Sequence, residues 1–290
     1  MTDSDAFLAK DFIETAEGLI FAVVAHGAEQ AKVLSFLRYV HNGRAWQKLA
    51  TDAANAYLQQ HHARYLHYAQ DLDAHLHAVP VAEIAKHHKP QQRLQEILST
   101  SQPDPVQQDL LDLCALFKAH GLDLQKLGIT GSLLVNAQQA GSDLDLVCYG
   151  RDIFQRCRAI ARDLIHLGHL QALSELDWLD AYERRDCALS YDDYVWHEQR
   201  KFNKAIINGR KFDLNFIDLS MSAAAKRYQK QGRITLQCTV IQDEFGFDYP
   251  AQFSIDHPQI TGIVCFTATY TGQVFCGERV EVAGMLEVSA

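Results

Sequence analysis

The chain has 290 residues, of which 48% are apolar and 22% charged, and its formal net charge at pH 7 is −9. This composition is typical of a globular protein, and the acidic balance argues against a protein that coats nucleic acid through bulk charge, although it leaves room for a local basic groove. The seven cysteines form no CxxC pair, the amino terminus lacks the basic and apolar regions of a signal peptide, and no apolar run approaches the roughly 20 residues of a membrane span. We therefore expect a cytoplasmic protein with reduced thiols, no membrane partner and, from its length, two or three domains.

Residues 1–103 are predicted to form an α+β amino-terminal domain. Runs of apolar residues predict three strands, at 18–25, 32–40 and 46–49. The first two strands are apolar on both faces, which predicts a sheet that is covered on both sides. Thr51 is predicted to cap a helix through Leu58, residues 60–100 are predicted to be helical, and residues 99–103 are the best candidate for a linker.

Histidines are frequent in this first segment. They occur as His61-His62, His75-x-His77 and His87-His88. These spacings include no HExxH motif and no nearby cysteine pair, so we interpret them as solvated histidines, with a zinc site as the weaker alternative.

Residues 104–232 form the second predicted domain. Its first helix has Asp104 as a cap, Pro105 in the first turn and apolar residues at helical spacing up to Phe117. A short strand, 127–130, is predicted to lead into a turn at Gly131-Ser132. Asp152 is predicted to cap a second helix, and residues 211–217 are predicted to be a further strand.

Two carboxylates alternate with leucines in Ser142-Asp143-Leu144-Asp145-Leu146, which reads as a strand. Side chains of an extended chain alternate between faces, so Asp143 and Asp145 share one face and the leucines the other. Neighbouring carboxylates repel each other unless a cation lies between them. The pattern therefore predicts a divalent metal site that serves a phosphate-bearing substrate.

Gly131-Ser132, nine residues, Ser142-Asp143-x-Asp145 and then Phe212-Asp213-Leu214 together resemble the DNA polymerase β-like nucleotidyltransferase superfamily. The resemblance covers about residues 106–220. It implies that a helix-opening Gly131-Ser132 turn, with Ser142 of the same motif, binds the nucleotide phosphates. It also implies that Asp143, Asp145 and Asp213 are the catalytic residues and hold two Mg²⁺ ions, with Mn²⁺ as an alternative.

This resemblance implies a fold and a reaction. The expected fold is α+β, with a nucleotidyltransferase-type mixed sheet and helices between the amino-terminal domain and a small β-barrel-like module. The expected reaction moves a nucleoside monophosphate from a nucleoside triphosphate to a hydroxyl and releases pyrophosphate. The acceptor stays open between an RNA end or other nucleic acid, a protein side chain and a small molecule. Backbone N–H groups at a turn that enters a helix favour such phosphate binding independently of the resemblance.

Residues 133–135 are Leu-Leu-Val where related small nucleotidyltransferases often carry an arginine, so the phosphate clamp is expected elsewhere. Nine basic residues against two acidic ones lie between 199 and 233. Arg200 and Lys204 of this group are predicted to share a helix face and to bind the nucleotide, with a solvated surface as the alternative. The local excess of positive charge favours a phosphate-rich partner.

The tail, 233–290, alternates apolar and polar residues from Ile234 to Val240, which predicts a half-buried strand. Further short strands predict a small β-rich module, of which an OB-like fold is one form. Two other functions remain open: a catalytically silent nucleic-acid-binding protein that keeps the nucleotidyltransferase fold as a scaffold, and a protein-interaction module whose partner is unknown.

Overall fold

The structure is a computed structural model that describes residues 6–70, 74–185, 187–219 and 228–289. The described residues form an α+β fold with three β-sheets and six α-helices. The helices are α1 (Thr51–His61), α2 (Pro90–Leu98), α3 (Pro105–Ala119), α4 (Arg151–His166), α5 (Glu175–Glu183) and α6 (Tyr191–Gln199). None of these helices combines the length and the apolar character that crossing a bilayer requires.

The amino-terminal sheet has seven antiparallel strands. They are β1 (Phe12–Thr15), β2 (Leu19–Val23), β3 (Lys32–His41), β4 (Trp46–Lys48), β5 (Leu66–Ala69), β6 (Ala74–Pro80) and β7 (Ile84–His88). Their order is β5-β6-β3-β2-β1-β7, and β4 pairs with β3. The three predicted strands are confirmed. The predicted helix from Thr51 is also confirmed, but its N-cap is Ala50.

The prediction that residues 60–100 are helical is wrong for most of the segment, because β5, β6 and β7 occupy it. Strand β6 lacks the alternating burial of a half-exposed strand, because the His77 side chain is buried together with those of the neighbouring Ala78 and Val79. The Nδ1 of His77 accepts a hydrogen bond from the Leu37 N–H at 2.8 Å, and its Nε2 lies 2.8 Å from Oδ1 of Asn55.

The histidine clusters are not simply solvated. In addition to His77, His87 pairs with Asp11 at 2.7 Å and His88 pairs with Glu14 at 2.9 Å. Among the residues that the structure describes, no three histidine, cysteine or acidic side chains are grouped as a metal site, which includes a zinc site. The paired histidines are therefore structural elements of the amino-terminal sheet.

Both faces of this sheet are covered, as the apolar pattern predicts. On one face, Ala54 and Leu58 of α1 pack against core residues of the sheet. On the other face, Phe12, Ile20 and Tyr39 pack against Leu134 and Val135. Because Leu134 and Val135 follow the Gly131-Ser132 turn, the second face lies directly against the predicted phosphate-binding segment.

The middle sheet has four strands, β8 (Leu127–Thr130), β9 (Leu144–Tyr149), β10 (Lys204–Ile207) and β11 (Arg210–Ile217). Their order is β10-β11-β9-β8; the central pair β11 and β9 is parallel and the other two pairs are antiparallel. The predicted strands at 127–130 and 211–217 are confirmed. Helices α2, α3 and α4 bury their apolar residues against this sheet.

One of the two predicted helix caps in the middle domain is present in the structure. The predicted Asp104 cap is confirmed: its carboxylate accepts from the N–H groups of Val106 and Gln107, and the Gln107 side chain accepts from the Asp104 N–H. The predicted Asp152 cap is wrong, because α4 already begins at Arg151 after Gly150.

Helix α2 belongs to the middle core, although the predicted boundary at residue 103 places it in the amino-terminal domain. Its residues Leu94 and Ile97 are buried with those of α3, α4, β8 and β9. The domain limits 1–103, 104–232 and 233–290 stay predictions, and the packing favours a first boundary before Pro90.

The carboxyl-terminal strands form a third, antiparallel sheet. They are β12 (Tyr228–Gln242), β13 (Ala251–Asp256), β14 (Gly262–Cys265) and β15 (Arg279–Ser289). The order is β14-β13-β12-β15, so β14 and β15 are not paired with each other within the described residues. The predicted strand is confirmed, and the sheet curls without the strand pairing that would close a barrel.

Candidate metal and nucleotide site

Two carboxylates lie side by side at the centre of the middle sheet. Asp145 of β9 and Asp213 of β11 are direct partners in the parallel register. Asp143 lies one residue before β9 and is exposed, while Asp145 and Asp213 are half-buried. Leu144 and Leu146 are fully buried on the opposite face, so the leucines anchor the strand and leave the carboxylates facing away from the core.

The electrostatics of this cluster show that its negative charge is poorly compensated. Burial first, and then the charge of Asp213, raises the pKa of Asp145 to about 6. Burial also raises the pKa of Asp213, an effect that the charges of Lys204 and Arg185 oppose and that of Asp143 reinforces. A carboxylate whose charged form is disfavoured in this way is stabilised when a cation approaches.

Gly131 provides space for Asp145. It directly follows β8, has a φ of 68°, and a Cβ at this position would overlap Oδ2 of Asp145. Glycine is therefore required twice, by the left-handed backbone and by the close carboxylate.

The expectation that the Gly131-Ser132 turn opens a helix is wrong. The turn leads into a single 3₁₀ turn, Leu133–Val135, and Asn136 then takes a left-handed conformation. All three residues of the 3₁₀ turn are buried, and Leu134 and Val135 pack on the amino-terminal sheet, so the chain is held in place there rather than continuing as a helix. The argument from a helix N-terminus consequently does not apply to Gly131 and Ser132, and their role in nucleotide binding stays a prediction.

Ser142 stabilises the loop before the acidic strand. Its hydroxyl accepts a hydrogen bond from the Gln139 N–H at 2.9 Å. The guanidinium of Arg210 donates to the carbonyls of Ala140 and Ser142, at 2.8 and 2.6 Å, and its Nε donates to Asp109 at 2.7 Å. These contacts fix the loop from which Asp143 emerges, whereas nucleotide binding by Ser142 stays a prediction.

Arg200 and Lys204 do not share a helix face, because α6 ends at Gln199 and Lys204 begins β10. Arg200 points to the carboxyl-terminal sheet, where it pairs with Glu278 and stacks 4.0 Å from the ring centroid of Trp196. Lys204 pairs with Glu198 and is the cross-strand partner of Asp213. Only Lys204 of the two therefore belongs to the acidic cluster.

Three further members of the predicted basic cluster are also paired internally. Lys201 bonds Glu198, Arg210 bonds Asp109, and Lys211 lies 3.6 Å from Asp177. Lys226 and Arg227 lie outside the described residues, and Arg233 is exposed on β12. The five basic residues from 200 to 211 thus pair with acidic side chains of the same chain, and phosphate binding by the cluster stays a prediction.

The sequence did not indicate three cations near the cluster, Lys10 in the turn before β1 and Arg38 and Lys48 in β3 and β4. The charge of Lys48 lowers the pKa of Asp145, and Asp145 and Asp213 both act on Lys10. The charge of Arg38 acts to lower the pKa of Lys10 and that of Tyr39. The charge of Asp145 acts to raise the pKa of Tyr39. The three cations stand between 95 and 203 positions before the aspartates and in no motif, so no local signal could have identified them.

The donor chemistry of the aspartates fits Mg²⁺, which prefers carboxylate oxygens. The raised pKa values of Asp145 and Asp213 point the same way, because burial and the neighbouring carboxylates disfavour their charged forms. Within the described residues these side chains are not grouped as a three-ligand metal site.

Comparison with known proteins shows the family. An uncharacterized protein of Methanocaldococcus jannaschii, MJ1086, is 32% identical over an alignment of 305 residues, which covers 96% of this chain and 90% of the archaeal protein. The chain belongs to the family of that protein. No family model matches it, and no solved structure matches it.

Proposed function

We propose that this protein is a Mg²⁺-dependent nucleotidyltransferase of the DNA polymerase β-like fold, which moves a nucleoside monophosphate from a nucleoside triphosphate to a hydroxyl acceptor. The observation that supports it is the parallel pairing of Asp145 with Asp213, with Asp143 two residues before Asp145 and Gly131 against its carboxylate. A turn, two alternating carboxylates and a third on the adjacent strand thus meet at one place.

The chain's own residues can perform most of the reaction. Asp143, Asp145 and Asp213 would hold Mg²⁺ or Mn²⁺, which supply charge compensation for the triphosphate when bound. The acceptor oxygen forms a bond to the α-phosphorus, the bond between the α-phosphorus and its bridging oxygen breaks, and pyrophosphate leaves with the electron pair. Asp213 is the candidate base for the hydroxyl proton, because burial raises its pKa above that of an ordinary carboxyl group.

The test is calorimetric titration with each of the four nucleoside triphosphates, with and without Mg²⁺. We expect Mg²⁺-dependent binding by the wild type and its loss in Asp143→Asn/Asp145→Asn. Asp256→Asn, which removes an exposed carboxylate from β13 of the carboxyl-terminal sheet, is the matched control and should bind like the wild type. Absence of binding to all four triphosphates contradicts the proposal.

The alternative of a catalytically silent nucleic-acid-binding protein has weaker support. Its main argument was the basic excess after residue 199, and the described members from Arg200 to Lys211 are paired with acidic side chains of the same chain. Salt-sensitive binding of nucleic acid that survives loss of all three aspartates would favour this alternative.

A further inference from the structure

We propose that Lys10, in the turn before β1, and Arg38 and Lys48 of the amino-terminal sheet supply the triphosphate-binding side of this site. The inference rests on the proposed function and adds to it the place where the nucleotide's phosphates bind. It also assigns a role to the amino-terminal sheet, because all residues of the acidic motif lie in or beside the middle sheet.

Lys10 is held at the acidic cluster by its backbone. Its φ is 75°, a left-handed value that is uncommon outside glycine and that persists where neighbouring contacts impose it. The Lys10 N–H donates to the Val23 carbonyl at 3.0 Å, and the Lys10 carbonyl accepts from Oγ1 of Thr130 at 2.7 Å. Thr130 is the cross-strand partner of Asp145, so these two bonds fix Lys10 beside the carboxylates.

Arg38 lies at a β-bulge and is near enough to Lys10 for its charge to lower the pKa of that lysine. In the pairing of β2 with β3, Phe21 faces Leu37 and Ile20 faces Tyr39, so Arg38 is the extra residue. A bulge redirects a side chain and is frequent beside binding sites. Tyr39 lies in the contact with Leu134 and Val135, and Lys48 is its cross-strand partner on β4.

These cations differ from Lys204 of the middle sheet. Within the part of the chain that the structure describes, Lys10, Arg38 and Lys48 make no ion pair within 4.0 Å, whereas Lys204 of the middle sheet is already paired with Glu198. A triphosphate carries about four negative charges and would lie against three carboxylates, so it needs cations of the protein in addition to the metal. Guanidinium and ammonium groups bind phosphate oxygens well, and residues 133–135 of the turn offer none.

The experiment measures binding of Mg²⁺ complexes of the nucleoside triphosphates and of inorganic tripolyphosphate to Lys10→Met, Arg38→Met, Lys48→Met and the triple variant. Methionine keeps an apolar stem of similar length and removes the charge. Each single variant is expected to weaken binding about tenfold, and the triple variant by more than about a hundredfold. Binding of the corresponding monophosphates should weaken much less, a difference that a loss of packing alone would not produce.

Lys32→Met is the matched control, because Lys32 starts the same strand, β3, about 20 Å from Arg38. It should bind triphosphates like the wild type. Circular dichroism and thermal melting establish that each variant folds, and Lys48→Met, at an exposed position, keeps the test valid if Lys10→Met does not fold.

The outcomes separate the two proposals. If the wild type binds a triphosphate and the triple variant binds it equally well, the amino-terminal sheet is not the phosphate side and the proposed function still holds. If variants lose monophosphate and triphosphate binding to the same degree, the three residues do not recognise the triphosphate. If the wild type binds no triphosphate, both proposals fail together.

Discussion

The absence of a side chain at Gly131 leaves the space in which the carboxylate of Asp145 lies. The space that a Cβ would fill is taken by a carboxylate oxygen of Asp145, and the backbone has a positive φ. Asp145 and the turn are therefore coupled: any side chain at position 131 must displace the residue that we propose as a metal ligand.

We predict that Gly131→Ala abolishes Mg²⁺-dependent nucleotide binding and lowers the free energy of unfolding by about 1–3 kcal/mol, through the left-handed backbone and the displaced carboxylate. Gly141→Ala is the matched control, since a Cβ there has no neighbour within 4 Å. Calorimetry and urea unfolding provide the two measurements. Unchanged nucleotide binding in Gly131→Ala would show that the turn does not position Asp145.

His77 gives the amino-terminal sheet a pH dependence. Burial lowers its pKa to about 4, whereas a histidine of the unfolded chain titrates near 6.5. Between these values the unfolded chain binds more protons, so the free energy of unfolding falls as the pH falls through this window, by about 3 kcal/mol at most for this residue. Above pH 6.5 the contribution is fully present.

We predict that His77→Asn is less stable than the wild type at pH 7.5 but loses less stability between pH 6.5 and 4.5. The asparagine oxygen can still accept from the Leu37 N–H, and the contact with Asn55 is lost. Urea unfolding over this pH range measures both effects. His75→Asn, at an exposed position of the same strand, should follow the wild type, and an equally steep decline in His77→Asn would contradict the assignment.

At the scale of secondary structure elements, helix α2 depends on a glycine of the strand beneath it. A Cβ at Gly128 of β8 would lie 2.8 Å from the backbone carbon of Pro90, the first residue of α2. The helix can bury Leu94 and Ile97 in the middle core only because it approaches the strand this closely.

We predict that Gly128→Ala lowers the free energy of unfolding by about 2 kcal/mol or more, because the backbone of α2 must move away from β8 and packing is lost. Gly284→Ala is the control: this residue also lies in a strand, β15, and a Cβ there has no neighbour within 4 Å. Both values come from urea unfolding. Equal stability of the two variants would show that α2 adjusts at little cost.

At the scale of the whole molecule, Arg151 links the middle and carboxyl-terminal sheets. It begins α4 and binds both carboxylate oxygens of Asp248, at 2.5 and 2.9 Å, and one of Asp218 at 3.2 Å. The side chain of Asp248 is only 2% exposed, and burial raises its pKa while the arginine opposes that shift. A buried carboxylate of this kind needs its partner.

We predict that Arg151→Met destabilises the protein by about 3 kcal/mol, since it leaves Asp248 buried without its cation. Arg151→Met/Asp248→Asn should recover part of the loss, because the second change removes the uncompensated charge. The pair is measured as a double-mutant cycle by urea unfolding. Strictly additive effects of the two substitutions would show that the arginine and the carboxylate do not depend on each other.

The sequence alone determined the elements whose pattern is local. Asp104 with Pro105 indicated a helix start, and the alternation of Asp143 and Asp145 with leucines indicated a strand with one acidic face; the structure has both. Such features depend on the spacing of near neighbours, which a strand or a helix converts directly into faces and hydrogen bonds. Strand β6 departs from this rule, because His77, Ala78 and Val79 are buried in succession and their spacing indicates no single buried face.

The tertiary structure decided which charges meet. In the sequence, Arg200 and Lys211 belong to a run of basic residues, whereas in the structure they pair with Glu278 and Asp177. Lys10 lies in no sequence motif, and its position beside Asp145 follows from the hydrogen bond between its carbonyl and Thr130. Coulomb interactions act through space, so residues distant along the chain compensate each other without leaving a pattern in the local sequence. The carboxylates of the candidate site could thus be identified from the sequence, whereas the cations that surround them could be identified only once the chain was folded.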